Sequence, residues 1–268
     1  MILAVYNYMI FIVLAEYSSV ERDTMNRNKA LTTYLTGTIG QIAIVSIAAF
    51  LLRQNGIKVG YSTPIGWGAI ALGGISSALW GTIVSIKYHK TNFKKVAGDF
   101  LKIKQNLKNY GLMLIFLCLD FLPVAFGGGF SVPAWYTPIL MFFLYIAFGG
   151  LEEIGWRYTF QPILQERMHY VPATLLTFAS WGTWHFLFFY IDETKADAIP
   201  FLIGLLTNSF ILSALYGKTK NLWLCAMTHS LINVLATFST AGNRYVEYVS
   251  KIVIITLAIV LVTKEQKK

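Results

Sequence analysis

The stretch Thr137–Phe160 reads TPILMFFLYIAFGGLEEIGWRYTF and is long and apolar enough to cross a membrane as one helix. Two adjacent carboxylates, Glu152 and Glu153, interrupt its apolar character, and Arg157 follows them. A charged side chain at mid-membrane costs about 2.5 to 3.5 kcal/mol even on lenient insertion scales. Because such charges must be paired or used, we expect the functional site to include this helix.

The composition extends this argument to the whole chain. The 268 residues are 56% hydrophobic, 15% aromatic and only 13% charged, and the mean hydropathy is +0.56. These values lie outside the range of soluble domains. Apolar runs long enough to span a bilayer therefore predict an all-α, polytopic transmembrane bundle with spans near 32–52, 65–86, 110–127, 137–160, 171–191, 199–216, 222–239 and 248–263.

A further apolar segment, Met1–Ala15, is short. No basic residue precedes its apolar run and no small-residue cleavage site is obvious, so the segment does not read as a signal peptide. It predicts a weak first span or a partly embedded helix, which gives eight or nine spans in all. The longest internal connection is Lys87–Asn109, so we expect one integral membrane domain over residues 1–268.

The distribution of Lys and Arg predicts the orientation, because positively charged loops resist translocation. With nine spans, the loops before the second, fourth, sixth and eighth spans and the C-terminal tail hold 17 of the 22 basic residues. The other side holds only Arg53, Lys58, Lys195, Arg244 and Lys251. We therefore expect the N-terminus outside and the C-terminus in the cytoplasm, with the chain integral to the cell membrane.

The net charge of +9 does not by itself predict a nucleic-acid partner. A cytoplasmic loop facing anionic lipid accounts for much of it. The sequence carries no signal for an oligomeric state. The loop in question is the connection Lys87–Asn109, which holds seven lysines: Lys87, Lys90, Lys94, Lys95, Lys102, Lys104 and Lys108.

Other polar or reactive residues in the spans carry less information. Cys118 and Cys225 fall in apolar segments, where cysteine packs as a small hydrophobic residue, so they predict neither a disulfide framework nor a metal cluster. Asp120 has no polar neighbour at helical spacing and receives no role. Gly149 and Gly150 suit the close approach of a neighbouring helix, which would help to wall a cavity.

Two histidines, His185 and His229, also lie within apolar segments, where an ionisable group normally faces the bundle interior or a wet cavity. Residues four apart share a helix face. His229 therefore projects with Asn233, and Trp181 with His185. Glu153 can pair with Arg157, whereas Glu152 is turned about 100 degrees away. One glutamate can thus be tied structurally while the other faces a cavity.

The chemistry open to these residues is limited. A glutamate and a histidine can remove a proton from water and return it to a leaving amine. A histidine and an asparagine can donate hydrogen bonds to an oxyanion. The competing use is a Zn site formed by Glu152, His185 and His229 with an open water position, although no HExxH motif is present. Nucleophilic catalysis by Cys225 has weaker support.

The arrangement resembles the CPBP family of intramembrane proteases, also called the Abi family, which includes type II CAAX prenyl endopeptidases and bacteriocin-processing and self-immunity proteins. That family carries EExxxR, FxxxH and HxxxN or HxxxD on separate core helices. Here the motifs are EEIGWR from Glu152, WGTWH ending at His185, and HSLIN from His229. Only Trp181 departs from the family pattern, which usually has Phe at this position. The resemblance covers about residues 136–238, the predicted catalytic core.

The resemblance implies an intramembrane endopeptidase in which Glu152 and His185 activate water while His229 and Asn233 bind the oxyanion or hold the water. Glu153 and Arg157 would support the structure. No cofactor is favoured, and Zn is the alternative. The expected substrate is a prenylated CAAX-type tail, a bacteriocin or other peptide precursor, or a membrane-protein segment. The alternatives are a non-catalytic immunity or interaction protein, and a transporter, which would show internal repeats; none is found.

One expectation concerns depth. The span limits place Glu152 and His229 toward the cytoplasmic side but His185 nearer the outer end of its span. The catalytic residues can meet only if the helix bearing Glu152 continues through Gln161 to Arg167 as a long or kinked element.

Overall fold

The computed structural model describes residues 2–263, with side chains from Met25 onward. Within these residues the chain is helical and forms no strand; a single isolated bridge joins Phe130 to Ser239. The predicted all-α helical membrane bundle is confirmed. The larger of two clusters of buried apolar side chains runs through most helices, and it is rich in aromatic residues such as Trp156, Trp181 and Trp184.

The α-helices are connected by turns, by loops such as residues 126–136, or by π-helical segments. Their bounds are α1 Ile2–Gln54, α2 Pro64–Gly74, α3 Ser76–Tyr88, α4 Phe93–Phe100, α5 Leu107–Asp120, α6 Leu122–Ala125, α7 Thr137–Tyr145, α8 Glu152–Gly155, α9 Gln161–Gln165, α10 Tyr170–Asp192, α11 Ala198–Thr219, α12 Leu222–Phe238 and α13 Arg244–Thr263.

Five helical stretches of the described residues are long and apolar enough to cross a membrane: Met25–Gln54, Pro64–Tyr88, Thr137–Gln165, Ala198–Thr219 and Arg244–Thr263. The apolar helix Leu222–Phe238 is shorter. The predicted count of eight or nine spans is therefore not confirmed, and the orientation stays a prediction.

Three of the predicted apolar segments differ in shape from the expectation. The segments near 1–15 and 32–52 belong to one continuous helix, α1. The run 110–127 is broken, because α5 ends at Asp120 and the short α6 follows with Pro123 in its first turn. Proline fixes its own backbone and lacks an amide hydrogen, so a helix commonly ends just before it.

The helix bearing Glu152 runs from Thr137 to Gln165. It is not regular, because the π-helical segments Ile146–Gly150 and Trp156–Phe160 flank α8. Its far end is fixed by buried polar contacts: Gln161 Nε2 donates to Thr174 Oγ1 at 3.0 Å, and Ser213 Oγ donates to Gln161 Oε1 at 2.7 Å. Such hydrogen bonds between helices stabilise bundles in apolar surroundings.

Small residues bring α1 and α3 close to α8. Ser77 Oγ donates to the backbone oxygen of Glu152 at 3.0 Å and lies 2.9 Å from the hydroxyl of Tyr34. Gly155 sits against both side chains, and a Cβ at this position would overlap Tyr34 Oη, Ser77 Oγ and the Ser77 backbone. This contact fixes the depth at which Glu152 is held.

Gly155→Ala is accordingly expected to destabilise the protein by about 1 to 3 kcal/mol, because the methyl group meets backbone that cannot move aside. The matched control is Gly111→Ala, at a position of α5 where a Cβ would have nothing within 4 Å. Thermal unfolding in detergent micelles measures both. A Gly155→Ala variant as stable as the Gly111→Ala variant would contradict the close packing.

Candidate active site

Glu152 lies between the two π-helical segments of the Thr137–Gln165 helix. A π-helical turn widens the helix by one residue, and such turns occur frequently at functional sites. Glu152 and Gly149 both line one cavity of about 400 Å³.

The cavity contains the four side chains that were expected to act together. Glu152, His185, His229 and Asn233 all line it, whereas Glu153 and Arg157 do not. The residues come from the Thr137–Gln165 helix, α10 and α12. His185 thus shares a cavity with Glu152 and His229, and the helix bearing Glu152 continues as far as Gln165, close to the extent expected.

The Glu152 carboxylate is 5% exposed and has one strong donor. Trp181 Nε1 donates to Glu152 Oε2 at 2.7 Å. Trp181 is the residue that stands where the family pattern has Phe, and a phenyl ring has no N–H to donate. The other carboxylate oxygen has no hydrogen-bond partner among residues 25–263, so it is open to a molecule in the cavity.

Glu153 lies behind the cavity wall in a fully buried cluster. Its Oε1 is 2.8 Å from His229 Nδ1 and 3.3 Å from Arg157 Nη1. The pair of Glu153 with Arg157 was expected from their spacing, but the contact with His229 was not. Arg157 also lies over the ring of Trp181, with its Cζ 4.2 Å from the ring centroid, which is a cation–π contact.

His229 and Asn233 come together over Gly149. A Cβ on Gly149 would lie 2.9 Å from Asn233 Nδ2 and 3.2 Å from His229 Nε2, so glycine is needed to let both groups approach the helix. Because Nδ1 of His229 faces Glu153, its Nε2 faces the cavity side. The expected close approach at Gly149 and Gly150 is present, and α12 is the approaching helix.

His185 is held by rings rather than by hydrogen bonds. Its imidazole packs against Trp181 and Phe201 at centroid distances of 5.3 Å and against Trp184 at 5.0 Å. No side chain or backbone group of the described residues hydrogen-bonds its nitrogens. This ring therefore has a fixed place and free nitrogen atoms beside the cavity.

Several cavity residues were missed by the sequence argument. Asn208 lines the cavity from α11, and its position within an apolar span is the same kind of signal that identified Asn233. Tyr61 and Asp192 line the cavity at one end, and the Tyr61 hydroxyl donates to Asp192 Oδ2 at 3.2 Å. Burial and the adjacent Asp192 carboxylate raise the pKa of Tyr61 to about 12, so the hydroxyl remains a donor.

The Zn alternative requires Glu152, His185 and His229 to converge on one point. Across the part of the chain that the structure describes, no group of three or more His, Cys, Asp or Glu side chains is placed to hold a metal ion. Glu153 engages Nδ1 of His229 and leaves Nε2 of that ring on the cavity side. Zn stays the alternative prediction, and no step of the mechanism proposed below passes through a metal.

Comparison with known proteins supports the interpretation of this region. Residues 133–235 match the family model described as type II CAAX prenyl endopeptidase Rce1-like. The chain is also 30% identical over 120 residues to CAAX prenyl protease 2 of Methanococcus maripaludis, a match that covers 41% of this chain and 43% of the relative. Both matches are partial. The predicted resemblance to the CPBP intramembrane proteases is thus confirmed for the part of the chain that carries the three motifs.

Proposed function

We propose that the chain is an intramembrane endopeptidase that hydrolyses a peptide bond of a membrane-associated substrate with water activated by Glu152 and His185. One observation carries the proposal: Glu152, His185, His229 and Asn233, from three helical elements, line one cavity in a predominantly apolar bundle. Burying polar atoms without hydrogen-bond partners is costly, and the second Glu152 oxygen and the His185 nitrogens are such atoms, which favours a ligand in the cavity.

The arrangement suggests how the atoms move. The free carboxylate oxygen of Glu152, with the adjacent imidazole of His185, takes a proton from water while the water oxygen bonds to the carbonyl carbon of the substrate. The Asn233 amide donates a hydrogen bond to the resulting oxyanion, and His229 faces the same oxygen with its Nε2 side. The proton then passes to the leaving amine nitrogen as the C–N bond breaks. Glu153 keeps the His229 ring in place throughout.

The cavity lining and the comparisons support a proposal for the substrate class. Aromatic side chains, including Trp67, Phe148, Phe188 and Phe201, form much of the cavity wall. They suit an apolar peptide segment or a lipidated tail. The name of the relative favours a prenylated CAAX-type tail, and a bacteriocin or other peptide precursor is the second substrate. A non-catalytic immunity protein on the same scaffold remains the alternative function.

The direct test is incubation of purified protein in lipid nanodiscs with candidate peptides, prenylated and unmodified, followed by mass analysis of the products. We expect cleavage at one bond, and we expect it to survive a metal chelator. Cleavage that the chelator abolishes and Zn restores would favour the Zn mechanism. Binding of a peptide with no cleavage of any candidate would favour the immunity function.

Trp181→Phe tests whether the indole N–H positions Glu152. The change keeps an aromatic ring but removes the donor at 2.7 Å, and a hydrogen bond to a charged group contributes about 1.5 to 3 kcal/mol. We expect kcat to fall roughly tenfold or more, with KM changed much less, because the carboxylate is misaligned for attack rather than for binding.

The matched control is Trp184→Phe. Trp184 also packs against His185 and lines the cavity, but its Nε1 donates to Ser76 Oγ at 2.8 Å and leaves Glu152 untouched. Its effect on kcat should be clearly smaller. Equal losses in the two variants would show that ring packing matters and that the hydrogen bond to Glu152 does not.

A further inference from the structure

The helix α11 contributes one polar side chain to the cavity, Asn208, which the proposed mechanism leaves unused. Pro200, Gly204 and Asn208 are four residues apart, so they lie on one face of α11. All three line the cavity. A Cβ added to Gly204 would have no atom within 4 Å, so the space beside this face is open. The Asn208 amide therefore borders a space that a bound molecule can fill.

Asn208 lies at the depth of His229. A two-residue connection joins α11 to α12, so the two helices run antiparallel. They touch where the Cys225 thiol lies 3.5 Å from the backbone oxygen of Leu212. His229 is four residues after this contact on α12 and Asn208 is four residues before it on α11, so each is about 6 Å from it along its helix. The Asn208 amide is thus level with the side chains that the mechanism uses.

The protein leaves the hydrogen-bonding capacity of Asn208 unused. An asparagine side chain offers two N–H donors and a carbonyl acceptor, yet no described residue hydrogen-bonds it. Two other polar side chains of α11 are bonded within the bundle: Thr207 donates to the backbone oxygen of Ile203 at 2.9 Å, and Ser213 donates to Gln161 at 2.7 Å. An unpaired amide in a membrane-spanning helix is costly, so we expect its partner in the cavity.

A peptide segment in this cavity needs such a partner. Each backbone residue carries an N–H and a C=O, and either group costs free energy when it is buried without a hydrogen bond. Much of the cavity wall is aromatic or aliphatic and offers none. The four side chains of the proposed mechanism serve the reacting atoms, and Tyr61 is bonded to Asp192. The Asn208 amide both donates and accepts, so it can pair with backbone groups of either kind.

We propose that Asn208 is a substrate-binding residue whose side-chain amide hydrogen-bonds the backbone of the substrate peptide beside the scissile bond. The proposal rests on the proposed function, in which a peptide lies in this cavity. The peptide unit that Asn208 contacts does not react, so the contact is equally strong in the ground state and in the transition state. Asn208 therefore acts on peptide affinity and KM, whereas a donor to the oxyanion would act on kcat.

Asn208→Leu tests this contact, because leucine has a similar size and no hydrogen-bonding group. Binding of a fluorescein-labelled, prenylated CAAX-type peptide is measured in nanodiscs in a Glu152→Gln background, which prevents cleavage. We expect Kd to rise roughly fivefold or more. In the cleavage assay, Asn208→Leu alone should raise KM similarly and leave kcat nearly unchanged. The unfolding midpoint should be unchanged or higher, because no bond within the protein is lost.

Three results would overturn the proposal. An unchanged Kd would show that Asn208 does not contact the peptide. A fall in kcat at constant KM would place Asn208 at the oxyanion. A lower unfolding midpoint, or failure of the variant to fold, would show that Asn208 is bonded within the bundle.

Ser209→Ala is the matched control. Ser209 is next to Asn208 on α11, and its hydroxyl also has no partner in the described part of the chain. It is fully buried, however, and does not line the cavity. Its Kd in the same background should equal that of Glu152→Gln alone. A rise in Kd equal to that of Asn208→Leu would show that any change on α11 weakens binding, and it would overturn the specific role of Asn208.

A peptide ester identifies the contact itself. Replacing one backbone N–H near the scissile bond with an ester oxygen removes a donor and keeps the side chains. At one such position we expect the ester to weaken binding to Glu152→Gln by about threefold or more, and to have no further effect once Asn208→Leu is added. Losses that simply add at every position would contradict the contact.

Both binding readouts are independent of hydrolysis. If the parent chain binds the peptide but does not cleave it, the endopeptidase activity is rejected, and the ester result still decides the role of Asn208. If the parent chain cleaves the peptide and Asn208→Leu changes neither Kd nor KM, the proposed function stands and the role of Asn208 is rejected. A parent chain that does not bind the peptide would overturn both.

Discussion

Glu152→Gln is expected to reduce peptide hydrolysis by about 10²- to 10⁴-fold, the contribution typical of a positioned general base. Glutamine keeps an acceptor for the Trp181 N–H that lies 2.7 Å from Glu152 but cannot take a proton from water. The substitution also removes a buried charge, so the thermal unfolding midpoint should be unchanged or higher. The measurement is steady-state cleavage of one peptide in nanodiscs, paired with a melting curve.

The control for Glu152→Gln is Glu166→Gln, which lies just beyond α9. Glu166 is exposed and pairs with Arg27 at 2.8 Å, far from the cavity lining. An exposed ion pair contributes at most about 1 kcal/mol, so both activity and stability should be retained. If Glu152→Gln were as active as this control, Glu152 would not be the general base, and the immunity function would be the better account.

Glu153→Ala is expected mainly to lower the free energy of unfolding. Glu153 is fully buried between Arg157 and His229, and removing one partner of such a cluster leaves a buried charge without compensation. Losses of about 3 to 5 kcal/mol are typical of this change. Arg157 already has two nitrogen atoms, Nε and Nη2, without a hydrogen-bond partner in the described part of the chain. We expect a large drop in the unfolding midpoint and little folded protein.

The double substitution Glu153→Leu with Arg157→Met separates stability from catalysis. It removes both charges and fills the space with apolar atoms, which for buried ion pairs is often neutral. Folding should recover, but activity should not, because His229 loses the carboxylate that fixes its ring. A folded double variant with full activity would show that Glu153 does not position His229. A Glu153→Ala variant as stable as the parent would contradict the account of the buried cluster.

The membrane class and the candidate residues could be predicted because they depend on local signals. Apolar runs show helices that cross a bilayer, and four-residue spacing shows which polar groups share a face. The break between Asp120 and Leu122 could not be seen in the same way, because the run stays apolar on average across it in spite of Asp120. Hydropathy averages over a window and is insensitive to one proline within it.

The contacts between distant residues were beyond the sequence argument. Nothing in the spacing of Glu153 indicates that its carboxylate meets His229 on another helix, because that contact depends on how two helices distant in sequence pack together. In the sequence, Trp181 is one aromatic residue in place of another within a motif. That its N–H donates to Glu152 depends on how α10 packs beside α8, which the sequence does not show. The helix faces could be predicted, but the pairing between them could not.

The central claim is that a peptide bond is hydrolysed in the cavity between Glu152, His185, His229 and Asn233. The most direct measurement is an experimental structure of the Glu152→Gln variant with an uncleaved substrate peptide bound. The account predicts one backbone carbonyl oxygen within hydrogen-bond distance of His229 Nε2 and the Asn233 amide, with its carbonyl carbon facing the substituted side chain at position 152. A peptide bound outside this cavity, or with no carbonyl near these two donors, would contradict it.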